Sequence, residues 1–140
     1  MTVVSLSMLL GGCSGSVPEH IGAEQDRLAP CPSSPNCVSS QATDPDQQVA
    51  ALIADNDNQQ AWQRWQTVIA QQPRATLITV TDTYLHAEFR SRWLGFVDDV
   101  ELLRDSEQAL IHVRSASRLG YSDLGVNRRR VERLRQAYAQ

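Results

Sequence analysis

Apolar residues fall into two helical stripes with four strand-like runs between them, and this order predicts the fold. Trp62, Trp65, Val68 and Ile69 recur at helical spacing and share one face. Asp57 is placed to cap that helix, Gln60 follows as its capping-box partner, and Pro73 ends it. Thr76–Val80 is β-branched and apolar. Tyr84–Arg90 alternates, with Leu85, Ala87 and Phe89 on one side and Tyr84, His86, Glu88 and Arg90 on the other. Phe96–Arg104 groups Phe96, Val100 and Leu102; Asp98 falls on their side, and Asp99 and Glu101 oppose them. Leu110–Ser117 turns Ile111 and Val113 inward and His112 and Arg114 outward. The links Trp93-Leu94-Gly95 and Asp105-Ser106-Glu107 are short enough for antiparallel neighbours. A last helix is expected from about Asn127, its N-cap, to Tyr138, burying Val131, Leu134 and Tyr138.

Ahead of these elements the signal is weak. Val38 to Asp46 is polar, with a turn signature at Thr43-Asp44-Pro45-Asp46, and Val49, Leu52 and Ile53 form an apolar cluster of no clear period. The reading is an α+β domain: a four-stranded antiparallel meander with two helices packed on one face. Its other face presents His86, Glu88, Arg90, Asp99, Glu101, His112 and Arg114, and is either wet or covered by something.

A chain of 140 residues supports one core. A net charge of −3 does not favour nucleic acid. All thirteen basic residues are arginine. A GC-rich genome accounts for that count, so a functional reading as guanidinium forks applies only to particular arginines.

The start of the chain reads as an address. Positions 3–10 are apolar but too few to span a bilayer, which takes about 20 residues. They fit a signal-peptide core, and Leu10-Gly11-Gly12-Cys13 resembles a lipobox. The resemblance implies cleavage before Cys13 and a diacylglyceryl group on its thiol. Residues 1–12 are thus expected to be a lipoprotein-type signal, 13–27 the lipidated cysteine and a flexible tether, and 28–140 the domain. No basic residue precedes Cys13, so the expected start codon lies upstream; the competing reading is a buried N-terminal strand with a chance cysteine. Ser14, in place of Asp, favours the outer over the inner membrane. The expected location is the periplasm-facing side of the cell envelope.

Cys31 and Cys37 remain, in a proline-stiffened segment. An oxidising envelope permits a disulfide between them. A zinc site with His20 would have three ligands at poor spacing, and a redox pair would prefer C-x-x-C, so a structural disulfide is favoured over metal, redox or free-thiol roles.

Three separated segments carry a resemblance. Cys31-Pro-Ser-Ser-Pro-Asn-Cys37-Val-Ser-Ser, Phe96-Val-Asp-Asp-Val-Glu101 and Val113-Arg-Ser-Ala-Ser-Arg-Leu-Gly-Tyr-Ser-Asp-Leu-Gly-Val-Asn-Arg128 resemble the domain of unknown function 1499 family, from about Leu28 to the C-terminus. The resemblance implies a domain often membrane-attached or exported. It brings no activity with it.

The residues themselves suggest a network. Asp98 and Asp99 are adjacent on a strand and point to opposite faces, so they do not form an acid–base pair. Asp98 needs a cationic partner, for which Arg118 and Arg128 are the candidates. Ser115 to Asp123 reads as a polar loop before a helix, and with Arg128, Arg129 and Arg130 it suggests an anion cradle or internal carboxylate pairing. The candidate set for anion or partner binding, or for a structural network, is Asp98, Asp99, Arg114, Ser115, Ser117, Arg118, Tyr121, Asp123, Asn127 and Arg128. Ser115, His112 and Asp99 have the residue types of a triad, but Ser115 and His112 lie on opposite faces. No cofactor or metal motif occurs. The leading expectation is an envelope lipoprotein that binds a partner protein or an anionic envelope component without catalysis. The alternative is a hydrolase or transferase on envelope lipid or glycan, using Asp99, His112 and Arg114 in a concave pocket. A third reading makes the motifs a purely structural polar network.

Overall fold

The computed structural model describes residues 15–54, 58–105 and 107–140. Cys13, residues 1–12, the expected cap Asp57 and Ser106 lie outside the described residues. Helix α1 spans Asn58–Ala70 and α2 spans Val126–Tyr138. Between them run β5 (Ala75–Val80), β6 (Tyr84–Arg90), β7 (Val97–Arg104) and β8 (Leu110–Ser117), paired antiparallel in that order as expected.

The sheet is larger than a four-stranded meander. β3 (Cys37–Ser39) and β4 (Leu52–Ile53) both pair antiparallel with the free edge of β8, giving six strands. A separate hairpin, β1 (Ala23–Glu24) and β2 (Arg27–Leu28), precedes them. Strands of two and three residues are too short to show a period, so the pattern could not reveal them.

Both helices pack on one sheet face. Trp62, Trp65, Val68 and Ile69 meet Val131, Leu134 and Tyr138 over Leu85, Ala87, Val100, Leu102, Ile111 and Val113. The Trp65 and Tyr138 rings stack at 4.2 Å. Each indole N–H finds a carbonyl, Trp62 on Thr81 and Trp65 on Ile53, so the large rings bury without an orphan donor. These contacts make the paired tryptophans core residues.

Three local expectations are corrected. Phe96 is exposed and lies outside β7, because Gly95 turns the chain at φ 66° and the ladder starts only at the Arg90–Val97 pair. Residues 115–117 belong to β8, so the loop begins at Arg118. Asn127 sits inside α2, fully buried; Gly125 holds the N-cap position, and Asp123 before it accepts from the N–H groups of Gly125 and Asn127.

Cys31 and Cys37 form a disulfide with Cα atoms 5.6 Å apart. A loop this short constrains the unfolded chain by about 2 kcal/mol. Cys31→Ser with Cys37→Ser is expected to cost roughly that amount, read by urea unfolding; a loss near zero would mean the prolines alone hold the turn.

Candidate functional site

Strand parity and register build a layer of charge on the face away from the helices. His86 lies opposite Glu101 and Glu101 opposite Arg114, while Glu88 lies opposite Asp99. Over its central strands this face is covered, while Thr76 and Arg90 at its margin stay exposed. Residues 15–28 run across it, with β2 against β7 and β8 and Leu28 buried. His86, Asp99, Glu101 and Arg114 are each no more than 1% exposed.

The charges pair within the layer. Arg118, at the end of β8, donates Nε to Asp99 Oδ2 at 2.8 Å and Nη2 to Asp99 Oδ1 at 2.7 Å. The same Nη2 reaches Glu88 Oε1 at 2.6 Å, and Arg90 takes Glu88 Oε2. His86 Nε2 stands 2.7 Å from Asp99 Oδ1; a carboxylate only accepts, so this nitrogen carries the proton. Arg114 donates to Glu101 Oε2 at 3.0 Å and to His20 Nε2 at 3.2 Å. Glu101 Oε1 accepts from Tyr84 Oη and from the N–H of Gly22. The covering segment is therefore bonded to the charges that it buries.

Protonation follows from these contacts. Burial opposes ionisation of Asp99, but hydrogen bonds and charge from Arg118 and His86 together hold its carboxyl below the usual range. The Asp99 bond raises Arg118 further against burial. Burial and the Glu101 carboxylate push the Tyr84 hydroxyl far up, so it stays a donor. Burial also works against Asp123, and the backbone N–H groups of Asn127 and Gly125 outweigh it, leaving that carboxyl lowered too.

Depressed carboxyls contribute stability that is complete above the unfolded value, about 3.9, and that is lost as pH falls through the folded one. The unfolding midpoint is thus expected to hold through neutral pH and to fall below about pH 4. Asp99→Asn should flatten that acid limb. An equal acid loss in wild type and variant would remove Asp99 from the account.

A second polar cluster lies on the helix side. Asp98 pairs with Arg130, rather than Arg118 or Arg128, because β7 parity turns it toward α2, where Arg130 is buried. Arg130 also donates to Ser115 Oγ and Asn127 Oδ1 and lies over the Phe89 ring. Asn127 takes the Ser115 hydroxyl and donates to Ser117 Oγ, Asp123 and the Asn36 carbonyl. Arg128 reaches the carbonyls of Asp46 and Gln48, and Arg129 that of Leu124. The first turn of α2 thus directs its cations onto protein oxygens, while Asp123 occupies the N–H groups that an anion would use.

The ten candidates accordingly divide. Asp99, Arg114 and Arg118 join the covered layer; Asp98, Ser115, Ser117, Asp123 and Asn127 join the helix-side cluster. Arg128 and the exposed Tyr121 lie at its rim. The residues suggested for catalysis do not converge. His112 bonds Ser40 near Asp105, four residues along β8 from the position opposite Asp99, or about 13 Å. Among the described residues no group of His, Cys, Asp and Glu could hold a metal, and no helix is long and apolar enough to cross a membrane.

The family profile described as protein of unknown function (DUF1499) matches residues 27–138. The chain belongs to this family. No curated protein and no solved structure matches it.

The DUF1499 region gathers its separated segments into one body. Asn36, between the cysteines, donates to the Gly120 carbonyl, and its own carbonyl accepts from Asn127 and from the N–H of Ser117. Asp98 and Asp99 bind Arg130 and Arg118 on opposite faces. Glu88, Glu101, His20, Tyr84 and Arg130 were missing from the sequence-derived set. Parity could have suggested Glu101 with Arg114, since both oppose apolar faces, but only the register makes them neighbours.

Proposed function

We propose that this DUF1499 chain is a lipid-anchored envelope protein that binds at the membrane surface and does not catalyse. The observation that carries the non-catalytic reading is the covered layer: Asp99, Glu101 and Arg114 are buried, the Arg118 side chain is 4% exposed, all four are paired, and residues 15–28 lie across them. A general acid or base must reach a substrate proton, and the hydrolase reading relied on Asp99, His112 and Arg114 together in an open pocket. The lipobox-like run at Cys13 supports anchoring. An anionic envelope component or a partner protein is the expected ligand.

The anchor is tested by growing cells that express the chain with an alkyne fatty acid. Label on the wild type and none on Cys13→Ser is the expected result. Equal absence of label from both would overturn the anchor. Turnover of envelope lipid or glycan by the purified chain, abolished by Asp99→Asn, would overturn the non-catalytic reading.

A further inference from the structure

We infer that one end of the domain is a bilayer-docking surface, made by the β6–β7 and β8–α2 loops. The inference rests on the anchored reading above and deepens it by naming the ligand as the interfacial zone of a phospholipid membrane. β6 ends at Arg90, β7 begins at Val97 and β8 ends at Ser117, so antiparallel pairing brings both loops to the same end of the sheet. The Arg118 N–H bonds the Val97 carbonyl, which fixes the loops side by side.

This end is apolar where a surface is expected to be polar. Trp93 is 83% exposed, Leu94 71% and Leu124 83%, and Phe96 and Leu119 are each nearly half exposed. A cluster of large exposed apolar side chains marks an interaction site. Its composition suits a membrane interface, where tryptophan sits at headgroup level and aliphatic side chains enter the acyl boundary. Arg92 lies over the Trp93 ring at 4.7 Å, so its cation flanks the apolar tip. That pairing lets the guanidinium reach lipid phosphate while the exposed ring enters the interface. Residues 91–96 contain no carboxylate, and the Asp123 oxygens in the other loop accept protein N–H groups. Asp123 is thus a carboxylate held inward on backbone N–H groups, and Arg92 and Arg118 outnumber it in these loops.

The chain path selects a bilayer over other occupants. Gly15 lies at this same end: its carbonyl accepts from Arg118 Nη1 at 3.4 Å, and a Cβ there would meet Leu119 at 3.8 Å. Cys13 is two residues earlier, within about 7 Å of chain reach. An acyl group on Cys13 would tether the end of the domain at which Gly15 meets Arg118 and Leu119. Tether and apolar tip then act on one plane, and the short reach gives the tip a high effective concentration at that plane.

The test uses the mature chain, residues 13–140, carrying Cys13→Ser, so that neither an acyl group nor the apolar run at positions 3–10 contributes. Vesicles of equal parts phosphatidylethanolamine and phosphatidylglycerol, with lipids brominated high on the acyl chain, are expected to quench Trp93. The buried Trp62 and Trp65 should not respond, which Trp93→Phe checks. Trp93→Ser with Leu94→Ser in the same background should lower vesicle partitioning at least tenfold with an unchanged unfolding midpoint, because neither side chain is in the core. Absence of quenching, or equal partitioning by the double variant, would overturn the inference. So would a dimer in lipid-free sedimentation that the double variant dissolves, since the surface would then belong to a second copy. Acylation separates the two readings: labelled Cys13 without Trp93 quenching sinks docking alone, and quenching without label sinks the anchor alone.

Discussion

Arg118→Ala is expected to lower the stability of the domain by about 3–5 kcal/mol, the usual cost of removing one partner of a buried ion pair. Arg118 binds both oxygens of Asp99 and one of Glu88 and holds the Gly15 carbonyl. Without it, Asp99 keeps only His86 among the described residues, and the covering segment loses a clasp at its first described residue. The midpoint should fall by more than about 10 °C, followed by circular dichroism. Arg118→Lys should recover only part of the loss, because an ammonium cannot span both Asp99 oxygens. An unchanged midpoint would mean that Arg118 is held for a ligand outside the domain, and the covered layer would need another explanation.

What the sequence made legible follows from where periodicity exists. Tyr84–Arg90 and Leu110–Ser117 fold as read because a one-residue slip would turn Leu85, Ala87, Phe89, Ile111 and Val113 away from the helices and into the charged layer. The Trp62–Ile69 stripe likewise fixed the buried face of α1. β3 and β4 were hidden because two- and three-residue strands on an edge need only backbone pairing. The charged face was read correctly by parity but not by partner. Whether His86, Asp99, Glu101 and Arg114 met water or protein depended on residues 15–28. Their sequence, small and polar with few apolar anchors, reads as a tether. Its hold on the sheet comes from specific bonds, the N–H of Gly22 to Glu101 and His20 to Arg114, which no hydrophobic pattern can announce. Asp98 needs a cation, for which the sequence offers Arg118 and Arg128, yet helix phase selects Arg130. With α2 starting at Val126, Arg130 faces the sheet and Arg128 faces outward.

The Arg114–Glu101 pair carries the other large expected effect, and a double variant separates packing from charge. Glu101 is 0% exposed and Arg114 1%. Arg114→Met keeps volume but leaves the Glu101 carboxylate with two neutral-group donors, Tyr84 Oη and the Gly22 N–H. A buried charge stripped of its counter-ion costs about 3–5 kcal/mol, so the single variant should unfold at much lower urea. Glu101→Gln in that background removes the stranded charge and keeps an oxygen for Tyr84 and Gly22. The double variant should return to within about 2 kcal/mol of wild type, because a buried pair replaced as a unit is often near neutral. Arg114 Nε finds no acceptor among the described residues, a cost that the methionine also removes. Failure of the double variant to recover would mean that the charges themselves hold residues 15–28 in place. Recovery of folding would show that this layer needs satisfied bonds rather than ions. If that stable double variant also kept its place on the membrane in cells, the binding surface would lie outside the charged layer, which leaves the exposed loops at the end where Gly15 emerges.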